Sequence, residues 1–216
     1  MTFVSRALLT LVTALAFQLP ALADSFKEGV DYDLLPQPGK VEVPGKLEVR
    51  EFFWYGCPHC FQLEEPLAQW RKTLPADVSF VRTPAPMNSN WLPHAHAYYV
   101  AESLGKLDEI SEKLFQALHV KKEKVFTQDE LAVFFTQFGV NEQEFNKLYN
   151  SFSVRVKVRQ AEALSKNYRL RGVPALVVNG KYLVKSQAGK GPDSMLPVVQ
   201  YLLDKERVGA ATSALQ

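Results

Sequence analysis

Trp54-Tyr55-Gly56-Cys57-Pro58-His59-Cys60 contains the only two cysteines in this chain of 216 residues. They stand two residues apart, after an apolar run (47–55) and before a helix-patterned stretch (61–74). A C-x-x-C at a strand-to-helix junction reads as a redox-active dithiol. With Cys57 at the helix N-cap, Pro58 falls at the first helical position, where its missing N–H and fixed φ suit the helix. The unsatisfied first-turn N–H groups carry partial positive charge. A Cys57 thiolate accepts hydrogen bonds from them, so its pKa falls. Cys60, one turn further in, stays protonated and less accessible. The His59 imidazole, between the two, offers Cys57 a donor or a positive charge.

The thiolate exists only in the reduced pair, so whatever stabilises it makes the disulfide easier to reduce. Each unit of pKa depression is worth about 1.4 kcal/mol, or about 30 mV for a two-electron couple. The expected resting state is a Cys57–Cys60 disulfide that is donated to other proteins. An incoming thiolate attacks Cys57 and leaves with the bond. A purely structural bridge is the first competing reading, and closing so short a loop gives only about 2 kcal/mol. A zinc half-site is the second. Zinc needs four ligands, and the chain has no second C-x-x-C or H-x-x-x-H. No metal and no cofactor are expected.

Residues 1–23 read as a signal peptide: Arg6 near the start, an apolar core over 7–17, and Ala21-Leu22-Ala23 before Asp24. That core is too short for a comfortable membrane span, although an uncleaved anchor is the competing reading. Cleavage after Ala23 is expected. Without Arg6 the chain carries 24 basic and 23 acidic residues, which gives no case for nucleic acid or an anionic membrane as partner. An exported protein that used disulfides for stability would scatter them. This one has a single close pair and enough length to bury a core, so a chemical role is favoured.

Residues 24–39 are polar and turn-rich and read as a drape over the fold. Val41-Glu42-Val43 is a short strand candidate ended by Pro44-Gly45, and 47–54 is a second strand. Within it Glu51 shares a face with Val49, Phe53 and Tyr55. On a buried face its carboxyl would lie beneath the dithiol with a raised pKa and relay a proton to or from Cys60; on an edge strand it would point at water. Pro66 should kink the helix that follows the dithiol. A strand at 78–83 precedes helical patterns over 92–104, 107–120, 128–138, 142–152 and 154–168. Gly105 and Gly139 fit C-terminal caps, and Thr127 and Asn141 begin capping signals. His94 and His96 read as surface or partly buried residues, 121–124 as a solvated loop, and Phe134, Phe135 and Phe138 as core. Asn179-Gly180 turns a hairpin between strands at 175–178 and 181–184. A last helix runs from Pro192 to about Arg207, followed by a frayed tail over 208–216. The fold class is therefore α/β: a discontinuous domain (24–89 and 169–216) carrying an inserted all-helical subdomain (90–168).

The order of strand, C-x-x-C helix, strand, then a Val-Pro before a hairpin resembles the thioredoxin fold. More narrowly, Glu51-Phe52-Phe53 with Cys57-Pro58-His59-Cys60, the inserted helices and Arg171-Gly172-Val173-Pro174 resemble the DsbA family of periplasmic thiol–disulfide oxidases. The resemblance implies a cis Val173–Pro174 bond facing Cys57, with the Val173 backbone pairing with a passing peptide. It also implies that Glu51 is the family's buried acid. The implied partners are unfolded exported proteins and a DsbB-type, quinone-linked inner-membrane protein that reoxidises the pair. A monomer is expected. Two rivals stand beside a periplasmic oxidase: a disulfide isomerase or reductase, and a peptide-binding chaperone with incidental thiols. Isomerases of the superfamily carry an N-terminal dimerisation domain, for which 24–40 is too short.

Overall fold

The computed structural model describes residues 26–187 and 189–213. The expected signal peptide over 1–23, with its cleavage site, lies outside the described residues.

A five-stranded sheet is built around β2 (Leu47–Phe53), whose β-branched and aromatic side chains are buried on both faces. β2 runs parallel to β3 (Val78–Pro84), from Leu47 opposite Val78 to Phe53 opposite Pro84. On its other side it pairs antiparallel with β4 (Ala175–Val178). β4 turns into β5 (Tyr182–Val184) through Asn179 and Gly180, at φ 49° and 64°. Two positive φ values in succession are what a type I′ hairpin turn requires. The sheet order is completed by an edge strand, β1 (Tyr32–Leu34), antiparallel to β5.

β1 corrects the expected drape over 24–39. It also displaces the strand expected at Val41–Val43, which is irregular chain. Glu42 explains the difference. Its carboxylate receives Arg50 Nη2 at 2.9 Å and its own N–H donates to Glu48 Oε2 at 2.7 Å. The segment is thus tied down by ion pairing rather than by a strand ladder.

α1 (Pro58–Arg71) continues through Pro66 as one element. Five helices follow β3: α2 (Leu92–Ser103), α3 (Leu107–His119), α4 (Gln128–Phe135), α5 (Glu142–Tyr149) and α6 (Phe152–Asn167). Their ends follow local chemistry. Thr127 and Glu130 form a reciprocal capping box on α4, and Asn141 caps α5. Gly105 and Gly139 end their helices at positive φ. α7 (Met195–Ser213) follows a 3-10 turn at Pro192–Ser194 and runs past Arg207. The frayed tail expected from 208 is therefore helical as far as the described residues reach.

Side chains of β2 sort by alternation. Val49 packs with Leu63 and Leu67 of α1 and with α7. Phe52, on the opposite face, meets Tyr168 edge-on. Phe53 joins the largest cluster, which continues into α2, α3 and α6. The dithiol lies between the sheet and this helical layer.

Candidate dithiol site

β2 ends at Phe53 and the chain turns once before α1. Cys57 N–H donates to the Trp54 carbonyl at 3.0 Å. Cys57 takes the N-cap position with extended backbone (φ −87°, ψ 118°), and Pro58 is the first helical residue. The Cys60 N–H reaches Cys57 Sγ at 3.4 Å. Both thiols are free. Cys57 is 8% exposed and Cys60 fully buried, so of the two residues Cys57 is the one that retains contact with solvent.

Cys57 is lowered to about 6. The Cys60 thiol, donating to it, is the largest cause. Burial opposes, the backbone N–H groups of Cys60 and His59 add to the lowering, and the His59 charge contributes least. Cys60 moves the other way, raised first by burial, then by its bond to Cys57, then by the charges of Cys57 and Glu51. The sequence identified the N-cap but not the Cys60 S–H as the main donor. His59 is exposed, with Nδ1 3.1 Å from Gln62 Oε1.

Val173–Pro174 is cis. The Val173 carbonyl lies 3.4 Å from Cys57 Sγ and accepts from it in the thiol form. The sequence-remote loop 171–174 is thereby brought against the reactive sulfur, as the resemblance implied.

Glu51 is fully buried. Arg82 Nε, from the neighbouring residue across the β2–β3 ladder, donates to its Oε2 at 2.7 Å. Oε1 is buried and has no partner among the described residues. Arg82 also reaches Glu64 of α1, with Nη2 to Oε1 at 2.5 Å, and lies 4.3 Å over the Phe53 ring. One guanidinium thus faces two carboxylates. Burial pushes Glu64 up to about 7 against the pull of Arg82, and the Glu51 charge adds to the push. Glu64 and Arg82 were not read from sequence. Glu64 had a signal, since it stands four residues after Cys60 and so shares its helix face.

His119 was also missed. Its Nε2 is 2.7 Å from the Tyr55 carbonyl, and its ring stacks on Phe61 at 5.0 Å. It ties the end of α3 to the turn carrying Cys57. His94 corrects the sequence reading: it is buried, with Nε2 at 2.6 Å from the Val125 carbonyl, and burial lowers it to about 4. His96 is half-buried, as read. Among the described residues no cluster of His, Cys, Asp and Glu could hold a metal, and no helix is long and apolar enough to cross a membrane.

Comparison with known proteins places this geometry. The sequence model of the DSBA-like thioredoxin domain matches residues 76–202. The thiol:disulfide interchange protein DsbA of Pseudomonas aeruginosa is 39% identical over 94% of this chain and 97% of its own. A crystal structure of P. aeruginosa DsbA superposes with a TM-score of 0.81 at 39% identity, covering 88% of this chain and 98% of that one. That of the oxidoreductase DsbA from Xylella fastidiosa does so with a TM-score of 0.78 at 34% identity, covering 84% and 98%.

Proposed function

This chain belongs to the DsbA-like thioredoxin-fold family, and on that premise we propose that it is a thiol–disulfide oxidase that donates a Cys57–Cys60 disulfide to newly exported proteins. A substrate thiolate attacks Cys57 Sγ, the more exposed sulfur. The bond to Cys60 breaks, and Cys60 takes up a proton. A second substrate thiolate then attacks the mixed disulfide and releases Cys57 as the thiolate its surroundings favour. Pro58 and His59 shape the N-terminus of α1 that receives this thiolate. The observation that carries the reading is the opposed tuning of the two sulfurs, one lowered and one raised within a single helical turn.

Further assignments belong to the same proposal. Glu51, with one buried oxygen unpartnered, relays the proton of Cys60. Val173 and Pro174 receive the substrate backbone as an added strand beside Cys57. The chain divides at 24–89 with 169–216, and at 90–168. It works as a monomer in the periplasm after cleavage behind Ala23, and a DsbB-type, quinone-linked inner-membrane protein reoxidises it.

Equilibration with a glutathione redox buffer tests the core of this. An oxidase pair is reduced by mildly reducing mixtures. A bridge as resistant as thioredoxin's would end the assignment. Cys57→Ser should abolish oxidation of a reduced, unfolded substrate; wild-type protein that fails to oxidise it but suppresses its aggregation as well as the Cys57→Ser variant does would instead indicate a chaperone.

A further inference from the structure

A cleft of about 770 Å³ runs from His59 and Val173 along the sheet edge. Its walls are the connection between α6 and β4 and the connection between β5 and α7. Its apolar lining includes Pro36, Leu170 and Leu34, the last of these 49% exposed. Its charges are one-sided. Arg169, Arg171, Lys185 and Lys190 line it, and among the described residues Asp33 is the one acidic residue that does. Asp33 is already engaged by Lys185 at 3.3 Å. Arg169, Arg171 and Lys190 are exposed, and their side chains have no ion-pair or hydrogen-bond partner among the described residues. The chain as a whole is almost charge-balanced, at net +2, so this concentration is local.

An extended chain whose cysteine reaches Cys57 beside Val173 has this cleft as its continuation. We propose that the cleft selects acidic segments: the substrate stretch flanking the reacting cysteine carries Asp or Glu side chains that Arg169, Arg171 and Lys190 receive. Exposed pairs of this kind are individually weak and sensitive to salt. They therefore govern the rate of productive encounter more than final affinity. The inference rests on the disulfide-exchange reading above and adds to it the charge of the preferred substrate.

The test uses two peptides of equal length, each with two cysteines, one flanked by glutamates and the other by lysines. Each is mixed in single turnover with the oxidised protein. The protein's disulfide is reduced to the Cys57 and Cys60 thiols while the peptide's two thiols become its disulfide, so no other oxidant is needed. At low ionic strength the glutamate peptide should react about tenfold faster, falling to about twofold near 0.5 M salt. In an Arg169→Glu/Lys190→Glu variant the ratio should vanish or invert. The ratio is read within one protein sample, so any loss of folded material cancels. Equal rates at low salt, with dithiothreitol still oxidised by the same protein, would overturn the charge selection and leave the exchange function standing. Equal rates together with binding to phosphatidylglycerol vesicles would overturn it in favour of a lipid surface. If neither peptide nor dithiothreitol is oxidised, the exchange reading falls and this inference with it.

Discussion

Strand β2 carries two arginine–carboxylate clusters, one on each face, and they are finished differently. On one face Arg50 gives Nε to Glu48, Nη1 to Thr83 and Nη2 to Glu42. Glu48 takes its second bond from the Glu42 N–H. The second carboxylate of this cluster, Glu42, is well exposed at 59%, so water absorbs the excess charge. On the other face Arg82 holds Glu51 and Glu64 together. Glu51 has no exposure, and one of its oxygens lacks a partner among the described residues. The closed cluster pins the 42–48 segment to the sheet. The open one acts on Cys60 through the Glu51 charge and leaves a buried carboxylate oxygen unpartnered among the described residues. A strand can therefore bury charge in a fully paired cluster on one face and in an incompletely paired one on the other. Complete hydrogen bonding separates the two cases.

The largest expected effect falls on the closed cluster. Arg50→Met leaves Glu48 buried without a counter-charge and should destabilise the fold by about 3–5 kcal/mol. Denaturant unfolding measures this, while the ultraviolet titration of Cys57 in the folded variant should not move. A shift in that titration would mean that the two faces are coupled.

Next comes the dithiol itself. The folded, reduced protein holds Cys57 near 6, below an unfolded thiol, so the stabilisation is fully present above the unfolded value and is lost as pH falls through about 6. The thiolate should therefore contribute about 1 kcal/mol to the reduced form at pH 7 and about 3 kcal/mol at pH 8, against the roughly 2 kcal/mol that the short bridge gives the oxidised form, so the reduced form should gain on the oxidised form on heating as pH rises. Cys60 stays a thiol throughout that window and does not change the sign. A melting difference between the two forms that does not move in favour of the reduced form between pH 6 and pH 8 would contradict the oxidase reading.

Glu51→Gln separates shape from charge on the open face. Stability should change by less than about 1.5 kcal/mol, because the hydrogen-bonding outline is kept and one of two crowded carboxylates is neutralised. Formation of the mixed disulfide, the step in which Cys60 takes up its proton, should nevertheless slow by about tenfold to a hundredfold, the lower range for a positioned proton transfer. Stopped-flow single turnovers with wild type and variant compare the two directly; equal rates would remove Glu51 from the mechanism.

The smallest effects rank the donors to Cys57. Cys60→Ala removes the largest contributor and should raise the Cys57 midpoint the most. His59→Ala removes only the weakest and should raise it by less. The reverse order would make His59, read from sequence as an addition to the N-cap donors, the main one.

What the sequence made legible was local. The N-cap cysteine with Pro58, the capping box at Thr127, the caps at Gly105 and Gly139 and the Asn179-Gly180 hairpin each depend on residues within a few positions of one another. What it hid was set by distant partners. The three residues of β1 become a strand only because β5 lies beside them, Tyr32 opposite Val184. Val41-Glu42-Val43 has the alternation of a strand, but Arg50 claims its central side chain. The open cluster draws Glu51, Glu64 and Arg82 from three elements. Glu51 stood out because a carboxylate in an apolar strand is conspicuous. Arg82, in a strand of ordinary composition, was not. His119 gave no motif, since its role is a contact with a backbone carbonyl, which leaves no trace in residue type.

The account stands on Cys57 being an anion at neutral pH in the reduced, folded protein. Ultraviolet titration of the thiolate, with Cys57→Ser as the blank, reads this directly. The predicted midpoint is about 6, with no second ionisation from Cys60 below pH 9. A midpoint at the ordinary thiol value, between about 8 and 9, would contradict it.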